Sequence, residues 1–355
     1  MGVLIMDYIA LSNLLFGLSI FSSETCLIAL SIFLSKKIIT NNNIKTDYIN
    51  RFKNYVIDKP ESIQREYGIN LEAFSNSKYE KEILAFCKLI TERYPAEYII
   101  NFYNNINSLI VLKDKKIASR GMDGVYLPIS NRIKLNDDSE IYHELFHMAS
   151  TMLSTDGQED VIFCGFRQQT INTENVDIGV ALNEGYTELM THRYFGQNHL
   201  ALACYKNEIN VARIIEKVIE TPNMEKLYLS ANLPGLISLL EKYLTKDEII
   251  DFITRLDIIS KYSDNSYVDK NKIIEENVYI VWNFLLKIYT IKLKEDLAKK
   301  RISEEDFINT SLRHINFLKK IVTVGCHKYY PEKLDPAINS WERILNNNKL
   351  KKLVK

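Results

Sequence analysis

Residues 140–150 read EIYHELFHMAS, and this stretch places two of the chain's six histidines four positions apart, with a glutamate directly after the first. The pattern constrains the backbone strongly. Imidazoles at positions i and i+4 can serve one centre if the chain between them is helical, because residues four apart on a helix have Cβ atoms about 5–6 Å from each other. Asp137 followed by Glu140 is an amino-terminal capping pattern, so a helix is expected from there to about Leu153. At 100° per residue, Ile141, Leu145, Met148 and Met152 form one apolar stripe, and His143, Glu144, His147 and Ser150 lie on the opposite side. The two imidazoles can then converge on one metal, about 2.0–2.1 Å from each nitrogen. Glu144 points beside that metal, where it can take a proton from water held there.

A catalytic zinc needs a third protein ligand and an open position. Ser150 and Leu153 stand where an extended G-x-x-H pattern would need glycine and histidine, so the third ligand has to come from elsewhere. Further along, VALNEGYTELMTHRYF (180–195) carries Glu184 and Glu188 four apart on one face of an expected second helix. HELFH followed by NEGYTE resembles the gluzincin zinc metallopeptidases, over about residues 108–195. The resemblance implies that Glu184 completes a zinc site with His143 and His147, that Glu144 is the general base, and that Glu188 holds a ligand histidine from behind. Physics supports the last role independently, since a ligand histidine usually donates its other N–H to a carboxylate or carbonyl. The competing assignment within the same site makes Glu188 the ligand in place of Glu184.

Families of this kind also steady the oxyanion with a tyrosine or histidine, and no motif here names that residue. Tyr186, His192, His199 and Tyr205 are available, and His192, four positions after Glu188, is the one helix geometry places near the site. Gly185 would allow the two helices to approach closely. Between them, VIFCGFRQQTINTENVDIGV (161–180) is expected to form a hairpin or loop excursion, with Cys164 as packing. His314 and His327, in the distant part of the chain, are read as non-functional.

The termini and flanks set the organisation. Lysine plus arginine and aspartate plus glutamate both count 45, so no bulk positive field gathers nucleic acid. The five cysteines are widely separated and form no C-x-x-C pair, which reads as inert thiols in a reducing compartment. Residues 8–34 are apolar apart from Glu24 and a few small polar residues, and Lys36 and Lys37 follow. That length suits a single-pass membrane anchor with a cytoplasmic body, set against a buried or interfacial hairpin. TNNNIKTD (40–47) reads as a linker, and helical periodicity follows in DYINRFKNYVID (47–58) and YEKEILAFCKLITERY (79–94), interrupted at Pro60 and Pro95. SLIVLKD (108–114) and GVYLPISNRIKLN (124–136) read as two strands. From about residue 200 the pattern is helical, as in Ile274, Val278, Val281, Leu285 and Ile288, with a break near KYSDNS.

The expected class is α+β: an apolar segment (1–40), a helical region (41–107), a mainly helical zincin-like catalytic core with a small sheet (108–200), and a C-terminal helical bundle (201–355). The expected function is zinc-dependent hydrolysis of a peptide bond in a peptide or protein substrate, which would lie along the strand ending near Leu135 as an added strand. The competing reading is a non-catalytic, membrane-associated helical protein whose metal is structural or absent.

Overall fold

The structure is a computed structural model that describes residues 68–346, apart from 76, 156–159, 172–175, 197–204, 264–270, 321, 325–326 and 330–333. The apolar run 8–34, the linker 40–47 and the helix expected at 47–58 lie outside these residues. Among the described residues no helix is long and apolar enough to cross a membrane.

Helix α1 (Glu80–Arg93) ends two positions before Pro95, with Tyr94 extended between them as its sequence requires, and α2 (Ile100–Ile106) follows a short 3-10 turn. A three-stranded sheet comes next: β1 (Ile110–Lys113), β2 (Gly124–Leu127) and β3 (Arg132–Leu135). The second expected strand is thus two. Pro128 opens a 3-10 turn, Asn131 leaves it at φ 47°, and the chain folds back antiparallel, with Tyr126 opposite Ile133. The order is β1-β3-β2, with β3 parallel to β1. This corrects the expected substrate edge: the strand ending at Leu135 is flanked on both sides, and the outer strands of the sheet are β1 and β2.

Helix α3 (Ile141–Ala149) carries the histidine pair but is shorter than its sequence suggested. At its start Asp137 accepts from the Ser139 N–H and opens a 3-10 turn, while Glu140 makes no capping bond. At its end three hydrogen bonds compete with further helix. Ser150 Oγ donates to the Phe146 carbonyl (2.9 Å), Thr151 Oγ1 donates to the His147 carbonyl (2.7 Å), and Asn105 Nδ2 donates to the Met148 carbonyl (2.9 Å). Met152 therefore lies on a strand and not on the apolar stripe, and Leu153 is exposed. Nor does α3 have a solvated side, because every residue from His143 to Ala149 is buried.

The expected excursion is a four-stranded antiparallel meander: β4 (Thr151–Thr155), β5 (Asp160–Cys164), β6 (Arg167–Thr170) and β7 (Asp177–Ile178). It delivers the chain to α4 (Val180–Phe195), whose bounds match the expected second helix. Helix α5 (Lys206–Ile219) then lies against α4. A Cβ at Gly185 would collide with the Glu208 backbone carbonyl, so the glycine makes room for α5 against α4 and not, as expected from sequence, for the approach of the two motif helices.

The rest is α6 (Thr221–Leu229), α7 (Leu233–Leu240), α8 (Lys246–Ser263), α9 (Asn271–Ala298), α10 (Glu304–Leu318) and α11 (Asp335–Asn346). Between α10 and α11 stands a hairpin the helical reading did not include, β8 (Val322–Val324) and β9 (His327–Tyr329). Ile274, Val278, Val281, Leu285 and Ile288 are all buried, as their spacing implies. The described chain is mostly helical with small sheets, an α+β composition. Helix α8 packs on both α4 and α9, so the α4 side of the site and the C-terminal helices share packing.

His314 of α10 packs its ring edge-on to Tyr289 and places Nε2 3.2 Å from the Leu285 carbonyl. Burial pushes its pKa down to about 4, against that carbonyl. The unfolded chain holds a proton here below about pH 6.5 and the folded chain does not, so stability falls as pH drops from about 6.5 towards 4. Replacement of His314 by Phe should flatten this part of the urea-midpoint profile, which equilibrium unfolding between pH 4 and 7 measures.

Candidate metal centre

Helices α3 and α4 pack against each other and bring the two motifs together. His143 Nε2 and His147 Nε2 lie 3.0 Å apart, and Glu184 Oε2 is 3.2 Å from the first and 3.3 Å from the second. A tetrahedral ion about 2.05 Å from each donor would separate the donors by about 3.3 Å. The triangle therefore has the size a zinc-like ion requires, and the donor set of two imidazoles and one carboxylate suits such an ion. Both histidines are buried, and the Glu184 side chain is only 16% exposed.

Glu188, one turn beyond Glu184, meets the other nitrogen of His143, with Oε2 3.0 Å from Nδ1. That contact orders the two glutamates. Nδ1–H donates to Glu188, leaving Nε2 free for the shared point with Glu184, so the geometry favours Glu184 as the ligand. The His143 ring is thereby held at both nitrogens. Burial lowers its pKa, but the hydrogen bonds to Glu184 and Glu188 win and push it up to about 10. Glu184 is likewise raised by burial, yet the charges of His147 and His143 hold it below the usual carboxylate range.

His147 has a different backing. Its Nδ1 lies 3.7 Å from Cys164 Sγ and 3.3 Å from Asn183 Nδ2, while Asn183 Oδ1 accepts from the Phe166 N–H at 3.1 Å. With Nε2 turned to the shared point, Nδ1 carries the proton and the Cys164 sulfur is the acceptor facing it, while Asn183 Nδ2, itself a donor, lies alongside without accepting that proton. Cys164 thus does more than fill space. It sits at the end of β5, where Gly165 turns at φ 56° towards β6. Asn183 precedes Glu184 in the NEG triplet and ties that turn to α4. From sequence Cys164 reads as packing and Asn183 carries no expected role. Adjacency to Glu184 was the only signal for Asn183, and an apolar strand gave none for Cys164.

Glu144 is buried beside the triangle and under β2. Burial raises its carboxyl pKa, with Glu184 adding to the effect, while the charges of His143 and His147 and the Tyr126 backbone N–H oppose it. A raised carboxyl pKa moves a base towards neutral pH, where proton transfer is most effective. Gly124 of β2 lies directly over it: a Cβ there would come within 2.7 Å of Glu144 Oε1 and 2.9 Å of Glu140 Cβ.

His192 lies one turn past Glu188, half-buried, and favours the charged form of Glu188 without bonding to any of the three donor atoms. Tyr205 stacks on His143, its ring centroid 6.3 Å away and tilted by 15°. Tyr186 is fully buried and donates to Glu216, away from the triangle. His199 and the side chain of His327 lie outside the described residues.

No protein-family model matches this chain, no curated protein matches it, and no solved structure matches its fold.

Two outcomes follow from this geometry. An ion taking all three donors must displace the His143 proton, so zinc binding near pH 7 should release at least one proton, and apparent affinity should rise with pH up to about 10. Titration calorimetry in buffers of different ionisation enthalpy reads this directly. Gly124→Ala puts a methyl against Glu140 Cβ, which cannot swing away, as well as against the Glu144 carboxylate, so the start of α3 and β2 must shift apart, the melting temperature should fall with a loss of about 1–3 kcal/mol, and zinc, whose three donors the methyl does not touch, should still bind. Chelator competition and calorimetry test both.

Proposed function

We propose that this protein is a zinc-dependent peptidase, with His143, His147 and Glu184 as metal ligands, Glu144 as general base and Glu188 as the residue that orients His143. The observation that carries the reading is the three-donor triangle with a buried carboxylate next to it on the same helix. Among the described residues the group that can hold a metal has three members. A structural zinc is usually closed by a fourth protein ligand, whereas a catalytic one keeps a position open.

Zinc bound there would supply Lewis acidity, polarising a carbonyl and bringing the pKa of water near 7. The protein's own residues do the rest. Glu144 takes a proton from the attacking water and hands it to the departing amine nitrogen. Its raised pKa lets it hold that proton between the two steps. Glu188 keeps His143 in the tautomer that presents Nε2. The substrate class is a peptide or protein in extended form. It would add to the outer side of β2, the strand whose Gly124 covers Glu144, and pair through main-chain hydrogen bonds. His192 is kept as a candidate for steadying the oxyanion. The zincin-like character of residues 108–200, the C-terminal bundle, and a single-pass anchor at 8–34 with a cytoplasmic body belong to the same proposal.

Glu144→Gln keeps the size of the side chain and removes the base. Turnover of a peptide library should fall at least about 100-fold, with one zinc per chain retained by elemental mass spectrometry. Native turnover in that variant would sink the base assignment. Absence of any hydrolysis by the native zinc-loaded chain across the library would favour a non-catalytic metal site.

A further inference from the structure

Helix α4 begins in a way that forbids it from capping itself. Its N-cap residue is Gly179 at φ 80°, and a Cβ there would collide with the Phe166 carbonyl oxygen. No side chain can stand at the position where Ser, Thr, Asp or Asn usually satisfies the first free N–H groups of a helix. The missing acceptor arrives from 76 to 78 positions away in sequence. Asp257 of α8 accepts from the Gly179 N–H with Oδ2 at 2.7 Å and from the Ala181 N–H with Oδ1 at 2.8 Å. Its carboxyl group straddles the helix start, accepting with both oxygens.

Beside it, Arg167 of β6 holds Asp177 of β7 through two bonds, Nε to Oδ1 at 2.7 Å and Nη2 to Oδ2 at 2.6 Å. The strand entering α4 and the first turn of α4 are both pinned. Glu184 sits three residues after Ala181, less than one turn along the helix. Its Oε2 has to arrive within a few tenths of an ångström of the triangle that His143 and His147 define, so any slide or tilt of the first turn is passed to the ligand atom.

We propose that Asp257 is a positioning residue of the metal centre: by clamping the first turn of α4 it sets where Glu184 meets the two histidines. This rests on the reading that the triangle holds zinc. It makes a residue of the C-terminal half part of the support of a site whose ligands all come from 143–184.

The test uses the full chain with Asp257→Ala, Asp257→Asn, and Asp251→Ala as a control that removes the partner of Arg255 on the same helix. Zinc dissociation constants are measured by competition with a chromophoric chelator, and ligand geometry is read from the visible spectrum of the cobalt form. Asp257→Ala should weaken zinc about tenfold, the lower end of what loss of an outer partner costs, and should alter the cobalt bands. Asp257→Asn keeps one acceptor and should fall between, while Asp251→Ala should match the native chain. If the native chain binds zinc and Asp257→Ala shows native affinity and a native spectrum, the proposal is wrong even where the melting temperature drops. Should Asp257→Ala fail to fold, the asparagine variant decides by the same two readouts. A native chain that takes up no zinc overturns the metal-centre reading itself, and this proposal with it.

Discussion

The contact on which the rest of the site depends is the packing of α3 against α4. Three polar side chains from two helices point at one place in a largely buried region, with donor atoms 3.0, 3.2 and 3.3 Å apart. Buried polar and charged groups are costly unless their partners are in place. Each element around the pair serves that requirement. Glu188 takes one nitrogen of His143, while Cys164 faces the Nδ1 of His147, and β2 lies over Glu144. A small relative shift of the helices would leave several buried groups without partners at once.

The packing is held from outside the site. On one side, Gly185 lets α5 press against α4 at the level of Glu184. On another, Asp257 of α8 seizes the first turn of α4. A third support is the hairpin turn at Gly165, where a Cβ would strike Asn183 and Tyr228, so the β5–β6 corner fits closely into the angle between α4 and α6. Glycine at these places is a matter of room as much as of backbone freedom. The meander between the two motifs is therefore part of the site, since its corner carries Cys164 and binds Asn183.

The elements differ in how far they could be read from sequence, and the reasons are physical. Helix α4 was legible to its ends because a glycine precedes it, another follows it, and its length is ordinary. Helix α3 was misjudged at its C-terminus, since Ser150 and Thr151 are compatible with helix until their hydroxyls find the carbonyls one turn back and Asn105 arrives from α2 to complete the cap. GVYLPISNRIKLN reads as one strand because β-branched and aromatic residues stand on both sides of Pro128, where the chain in fact turns back. Which of these strands is central was beyond any periodicity argument, since β1 and β3 pair in parallel across intervening chain.

The sequence by itself determined which atoms could act. Two imidazoles one helical turn apart, a carboxylate between them, and two carboxylates one turn apart downstream are consequences of spacing, and spacing is local. What only the tertiary structure decided is which atom faces which. Glu184 meets both Nε2 atoms and Glu188 meets Nδ1 because α4 crosses α3 at one particular depth. Cys164 backs His147, and Asp257 caps α4, because strands and helices distant in the chain close on the same point. Those placements come from packing between segments as much as 78 residues apart, and no short-range pattern encodes them.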